Sequence, residues 1–456
     1  MNENESDKMN YNSDDQNEKE PGENPEKEPE DDSLKFDSFL DNLEESEKTG
    51  EEEPVLSKED LTKEKEVHAN LGWVYYKQGM FDEALAEYQE VTKIDPNDSK
   101  SIKIICQIYK EKGEVEKAIQ SFQFLLKIDP NNIEIFKELG NLSLQKGDFN
   151  QSLKFYSQAF KLDPNDRDIY VKIAEIFKLK GDFDKAISSL KKAIKLAEDD
   201  PILYKNIGIL YDRKGDLESC IQAYKKSLEI AYHDIETHEL LGRIYYKTRE
   251  YEKAIEEFRI ILNIEEDNVS ALNNLGLVFY KKENYTESLE YFKRALEISP
   301  DDYEIYSNIA LVYYKKRLFE SAIKYFEKAI EINPYIDIIH SNLGMVYDNK
   351  GMYTKAIDEF QKAIELNSNN IQAHYFLGNL YLFEERRKDS EQEYKKVLQL
   401  SPGFVDAYIN LGIVYFKEGR IKDAMDKYEE ALKLDPENIV ARENLRFARK
   451  FLDAYK

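Results

Sequence analysis

Residues 303–336 read YEIYSNIALVYYKKRLFESAIKYFEKAIEINPYI. Tyr306, Ile309, Ala310 and Tyr313 recur at spacings of one, three and four, which places them on one face of a helix. Ala322, Phe326 and Ala329 take up that pattern again after a short break, and Pro334 ends it. Proline has no amide hydrogen and restricts the residue before it, so it marks a boundary between structural units. The stretch therefore predicts two short helices joined as a hairpin. Working outward, the same 34-residue register runs from Lys65 to residue 438, eleven times, without an insertion or deletion.

The columns of this internal alignment have physical meaning. The eighth is always small, as in Gly72, Cys106, Gly140, Ala174 and Gly208. The twentieth is also always small, as in Ala84, Ala118, Ser152, Ala186 and Cys220. The eleventh is aromatic in ten units, with Ser143 the exception, and the twenty-fourth is Tyr or Phe in ten, with Leu190 the exception. Small residues let paired helices approach, and aromatic rings fill the space between them. One hairpin buries only part of its apolar surface; stacking on neighbours buries the rest.

This pattern resembles the tetratricopeptide repeat family, whose signature is W-x2-L-G-x2-Y, then A-x3-F, then P. Leu272, Leu275, Gly276, Phe279, Ser288, Phe292, Ala295 and Pro300 follow it in unit seven. The resemblance covers 374 of 456 residues. Trp73, the only tryptophan, stands outside the expected column, and units four to six have Glu198, Tyr232 and Glu266 where the closing proline belongs. The resemblance implies an all-α fold: a right-handed α-solenoid superhelix of eleven hairpins whose first helices line a concave groove that takes peptides or protein segments. Residues 439–456 read as a C-terminal capping helix, with Arg442, Arg446, Arg449 and Lys450 interrupting its core face.

The formal net charge is -26. Residues 1–64 hold 24 acidic and 7 basic residues, which is -17, so the other 392 residues carry only -9. The first segment is poor in aromatic and β-branched residues, and the expectation is a disordered acidic tail. Within it, Phe36, Phe39, Leu40 and Leu43 share one helical face and suggest a short recognition helix that folds on a surface. The acidity argues against nucleic acid and against an anionic membrane surface as partners. Residues 1–30 contain no apolar run of the kind a secretory signal needs, and no stretch of 18 apolar residues occurs anywhere. The expectation is a cytoplasmic chain with reduced thiols.

Catalytic chemistry has little to stand on. Two cysteines, Cys106 and Cys220, fill small-residue columns. His68, His238, His340 and His374 fall in the fourth column, where the family has Trp, and packing accounts for them. No His or Cys pair has metal-ligand spacing, and there is no phosphate loop, dinucleotide fingerprint or nucleophile elbow. No cofactor, metal or enzymatic activity is expected.

The sixth column points to binding. It reads Asn in six units: Asn70, Asn206, Asn274, Asn308, Asn342 and Asn410. A carboxamide offers two donors and an acceptor, so a row of them can hold an extended backbone whatever its side chains. The row is similar to that lining the superhelix of the O-linked N-acetylglucosamine transferases, whose catalytic half has no counterpart here. Tyr246 and Lys247, Tyr280 and Lys281, and Tyr314 and Lys315 occupy columns twelve and thirteen of units six to eight, adding apolar faces and positive charge. A chaperone-tail clamp is incomplete: Lys137 and Asn141 fit, but Lys172, Ile202 and Asn206 stand where the clamp needs Asn and basic residues. The reading is a non-enzymatic scaffold for an extended segment of partner protein, with the acidic tail able to compete for the groove. The alternatives are an assembly adaptor that self-associates, or a targeting subunit for a separately encoded glycosyltransferase.

Overall fold

The computed structural model describes residues 57–454, so the expected recognition helix at Phe36, Phe39, Leu40 and Leu43 lies outside the described residues. Among those described there are 23 helices and no strand. They alternate as first and second helices of hairpins in the expected register, from Lys58–Lys77 and Phe81–Ile94 to Val405–Lys417 and Ile421–Leu434, with a last helix at Ile439–Ala454. The chain forms two compact units, one ending at Asp182 and the other starting at Phe183. Each consists of alternating first and second helices, and the boundary falls between the two helices of repeat four, Arg167–Leu179 and Phe183–Leu196.

The first helix starts earlier than the repeat register. Residues 58–64, read above as tail, are its opening turns. Ser57 caps it, its hydroxyl accepting from the Asp60 amide at 3.2 Å, and Glu59 and Asp60 lie in the first turn. Both features favour a helix start whatever the surrounding charge. Most later first helices are capped in the same way from column 34. Asp98, Asn132, Asp166, Asp200, Asn268, Asp302 and Asn370 each accept a backbone amide of the first turn.

Hairpin closure depends on columns eight, twenty and twenty-four. A Cβ added at Gly140 would lie 2.6 Å from the Tyr156 ring, and one added at Gly208 would lie 2.5 Å from the Tyr224 ring. Both distances are below van der Waals contact, so the ring occupies the space a side chain would need. The serines of column twenty do more than stay small. Ser152, Ser288 and Ser390 donate to the carbonyls of Gly140, Gly276 and Gly378 at 2.7, 2.8 and 2.9 Å, tying the two helices where they come closest.

Column fifteen, between the helices, is left-handed in all eleven repeats. Seven of these residues are glycine and four are Arg249, Glu283, Arg317 and Glu385, with φ between 59° and 63°. Side-chain-bearing residues rarely adopt this conformation, so those four turns are strained.

Successive repeats join through one recurring contact. Ile305, Ile309 and Val312, in columns three, seven and ten of repeat eight, are fully buried against Leu289, Phe292 and Ala295 of the preceding second helix. The last helix, Ile439–Ala454, buries Ala441, Leu445 and Ala448 in the same core as Ala424, Tyr428 and Ala431.

Candidate functional site

The first helices of repeats six to nine are Ile235–Lys247, Val269–Lys281, Tyr303–Lys315 and Asp337–Asn349. All four belong to the second unit. Neighbouring first helices touch through columns two, five, six, twelve and thirteen. Ser270 donates to Glu239 at 2.8 Å, Asn308 Nδ2 to Asn273 Oδ1 at 3.0 Å, and Asn349 Nδ2 to the Tyr314 hydroxyl at 3.1 Å. These bonds define one continuous face built from first helices alone.

The asparagines of column six lie on this face but are not a row of free amides. Asn308 and Asn342 are 8% and 7% exposed. Asn308 is engaged with Asn273, and Asn274 Nδ2 reaches Ser270 Oγ at 3.3 Å. Asn410 Nδ2 donates to Asn379 Oδ1 at 2.9 Å and reaches the Tyr375 hydroxyl at 3.4 Å. The side chains of Asn206 and Asn342 make no hydrogen bond among the described residues. Asn273, which sequence reasoning missed, is as much a part of the arrangement as the column itself. It is visible only once the register between neighbouring helices is known.

The Tyr-Lys row is also partly engaged. Tyr246, Tyr280 and Tyr314 lean on Tyr251, Tyr285 and Phe319 at the start of the next helix, with ring centroids 6.1, 6.1 and 6.2 Å apart. Tyr246 is buried. Lys247 pairs with Asp212 at 3.1 Å, and Lys281 Nζ lies 5.9 Å from the centre of the Tyr280 ring. Lys315 is exposed and has no ion pair among the described residues. Asp348 continues the tyrosine column into repeat nine. It is half-buried, its side chain makes no hydrogen bond or ion pair among the described residues, and burial raises its carboxyl above the usual range. Burial and then the nearby Asp348 raise the Tyr314 phenol. The positive stretch expected in the middle of this face therefore ends beside an unpaired acid. The break from Tyr to Asp in column twelve was the available signal.

The histidines of column four are not simple packing residues. Each approaches a glutamate nineteen positions on, in column twenty-three of its own repeat. The Nδ1 atoms of His68, His238 and His340 lie 2.6 Å from Glu87, Glu257 and Glu359, and His374 lies 2.5 Å from Glu393. In the last three, Nε2 also faces a backbone carbonyl of the preceding repeat: Tyr232 at 2.8 Å, and Pro334 and Ser368 at 3.1 Å. These rings link their own second helix to the turn before them. Burial accounts for the inert character of the cysteines, pushing both thiols up, that of Cys220 to about 12.

A cavity of about 510 Å³ lies elsewhere, against the second helix of repeat eight, lined in part by Tyr306, Tyr325, Lys324 and Lys328. Among the described residues no group of three or more His, Cys, Asp or Glu is placed to hold a metal ion. None of the described helices is long and apolar enough to cross a membrane.

Family models described as Tetratricopeptide repeat match residues 65–98, 135–166, 203–234, 267–334, 338–370, 371–404 and 405–438. A model described as TPR repeat matches residues 107–145, 174–215 and 242–283. No curated protein matches the sequence. Solved structures similar to the chain include yeast Tom70, at 17% identity and a TM-score of 0.45, covering 85% of this chain and 96% of that one. A tetratricopeptide repeat protein from Parabacteroides merdae is 20% identical with a TM-score of 0.46, covering 55% and 98%. YrrB, described as a TPR protein with an unusual peptide-binding site, is 22% identical with a TM-score of 0.36, covering 42% and 98%.

Proposed function

Because the chain belongs to the tetratricopeptide repeat family, we propose that its repeats six to nine hold an extended segment of another protein along their first helices. The observation that carries this reading is the run of amides on three consecutive first helices. Asn274, Asn308 and Asn342 stand one per repeat, and the Asn342 amide has no partner among the described residues. A repeating donor and acceptor suits a backbone, which presents the same groups whatever its sequence. Leu277 and Leu311, three positions after Asn274 and Asn308 and partly exposed, add an aliphatic side chain to the same helices. Side-chain selectivity would come from Lys315 and Asp348, one unpaired charge of each sign. Competition from the acidic tail belongs to the proposal mainly at Lys315, since Lys247 already pairs with Asp212.

The test uses the full chain. Partners are trapped by crosslinking and identified by mass spectrometry. The bound segment is then titrated against the wild type and the triple variant N274A/N308A/N342A. A weakening of at least tenfold is expected, about 1.4 kcal/mol or more, which three amide contacts at about 0.5–1.5 kcal/mol each can supply. Unchanged affinity for the same segment would show that these amides do not form the binding surface.

A further inference from the structure

One apolar face among the described residues lacks the neighbour that covers its counterparts. Columns three, seven and ten pack on a preceding second helix in repeat eight, where Ile305, Ile309 and Val312 are fully buried. In repeat one the same columns hold Val67, Leu71 and Val74, and these are 55%, 41% and 48% exposed. They form a stripe at spacings of four and three along the helix Lys58–Lys77. No described helix precedes it. A solenoid end of this kind needs a cover to remain soluble.

We propose that the chain's own segment 36–43 docks on this stripe as a helix and caps the N-terminal repeat. The pattern of the segment matches the task. Phe36, Phe39, Leu40 and Leu43 have the spacing i, i+3, i+4, i+7. A second helix has the same spacing in columns seventeen, twenty, twenty-one and twenty-four, as in Tyr285, Ser288, Leu289 and Phe292. Of these, Leu289 and Phe292 belong to the core that buries the next repeat's stripe. No other stretch of residues 1–56 brings so many apolar side chains together.

The connection is long enough. Leu71 lies about 20 Å along the helix from Lys58 at 1.5 Å per residue. The fourteen residues 44–57 span up to about 46 Å when extended. Tethering at this distance gives an effective concentration of order millimolar, so a modest apolar contact suffices.

The opposite end argues against a second copy as the occupant. There the helix Ile439–Ala454 already covers the last repeat. It exposes Ile439, Val440 and Phe447, but Arg442, Arg446, Arg449 and Lys450 are exposed among them, and burying those four cations against an apolar stripe in head-to-tail stacking would be costly.

Hydrogen exchange on the full chain, compared with F39D/L40D, tests the assignment. Loss of the cap should speed amide exchange in the helix Lys58–Lys77 by about tenfold or more, while the helices of repeats six to nine stay unchanged as the internal control. Equal protection in both chains overturns the proposal. So does protection that rises with protein concentration and ignores Phe39 and Leu40, which would assign the stripe to a second copy. An independent check pairs Leu40→Cys with Leu71→Cys. A disulfide forming within one chain supports docking and its failure to form opposes it; Cys106 and Cys220 are both buried and leave the background low.

Discussion

Replacing Glu257 by Gln probes a buried charge that the columns did not reveal. His238 is 2% exposed, with Nδ1 2.6 Å from Glu257 and Nε2 2.8 Å from the Tyr232 carbonyl. Both partners accept, so the ring must donate from both nitrogens, which the imidazolium does. Burial alone would lower the His238 pKa, but the Glu257 carboxylate, the Tyr232 carbonyl and the nearby Asp234 outweigh it, and the net shift is upward. The sign follows from the linkage between folding and proton binding. A pKa raised above the unfolded value of about 6.5 contributes stability that is fully present below that pH. It is lost as pH rises through the folded pKa. In E257Q the amide oxygen can still accept from Nδ1, but the compensating charge is gone, so burial should dominate and His238 should titrate below its wild-type value. The cost at pH 6 is that of a charge-assisted hydrogen bond, about 1.5–3 kcal/mol. It falls short of the roughly 3–5 kcal/mol of a stranded buried ion, because the ring can shed its proton. Histidine-selective NMR reads the effect directly, with the exposed His233 as a reference in the same chain. Urea unfolding at pH 6 and pH 9 gives the stability. A wild-type His238 that titrates below an ordinary imidazole, or an E257Q chain with undiminished pH dependence, would refute the reasoning.

The left-handed turns give a second expectation. Glu283→Gly and Arg317→Gly should each stabilise the fold by about 0.5–1 kcal/mol in chemical denaturation, whereas Gly147→Ala, with φ of 81° and nothing near its Cβ, should cost a similar amount. Closure of the hairpin gives a third. Gly208→Ala pushes a methyl into the Tyr224 ring and should cost about 1–3 kcal/mol by thermal unfolding, and Tyr224→Leu in the same chain should recover part of it by removing the ring atoms the methyl meets. A fourth concerns the proposed groove. Asn308→Ala leaves the buried-side acceptor of Asn273 without its donor and should cost about 1 kcal/mol of stability, so circular dichroism melts must accompany any binding measurement on that variant.

Much of the fold was legible because the chain supplies its own alignment. Eleven copies make a small-residue column plain, and Gly208 facing Tyr224 is the contact such a column implies. The turn at column fifteen was half legible: seven glycines mark it, but Arg317 gives no hint that it adopts the same conformation. The start of the first helix was misplaced because charge composition outweighed a local signal. Ser57 and Asp60 form a cap that a count of acidic residues cannot register. The candidate site was least legible. Recurrence at column six marked the asparagines, but whether Asn308 meets solvent or Asn273 depends on how adjacent repeats are offset, and a column carries no information about offset.

The histidines show how much more the same alignment holds when columns are compared in pairs. Column four alone reads as a set of substitutes for an aromatic residue. Set beside column twenty-three, it resolves into chemical types. The four histidines face Glu87, Glu257, Glu359 and Glu393. Tyr306 faces Tyr325, with ring centroids 6.0 Å apart, and Tyr408 faces Lys427, whose ammonium lies 5.8 Å from the ring centre. In column register, Ile102 and Tyr204 pair with the small residues Ser121 and Ala223. A buried carboxylate without a cation is costly, and so is a large ring opposite another that cannot stack, so the two positions are constrained as a unit. Repeats with a histidine–glutamate pair and repeats with an apolar pair thus share one backbone register, and in repeat six Glu257, the Tyr232 carbonyl and Asp234 outweigh burial and raise the His238 pKa. In a quasi-one-dimensional stack, where each repeat draws its stability from its own hairpin and its neighbours, the response of His238 to pH is confined to repeat six and the repeats it touches.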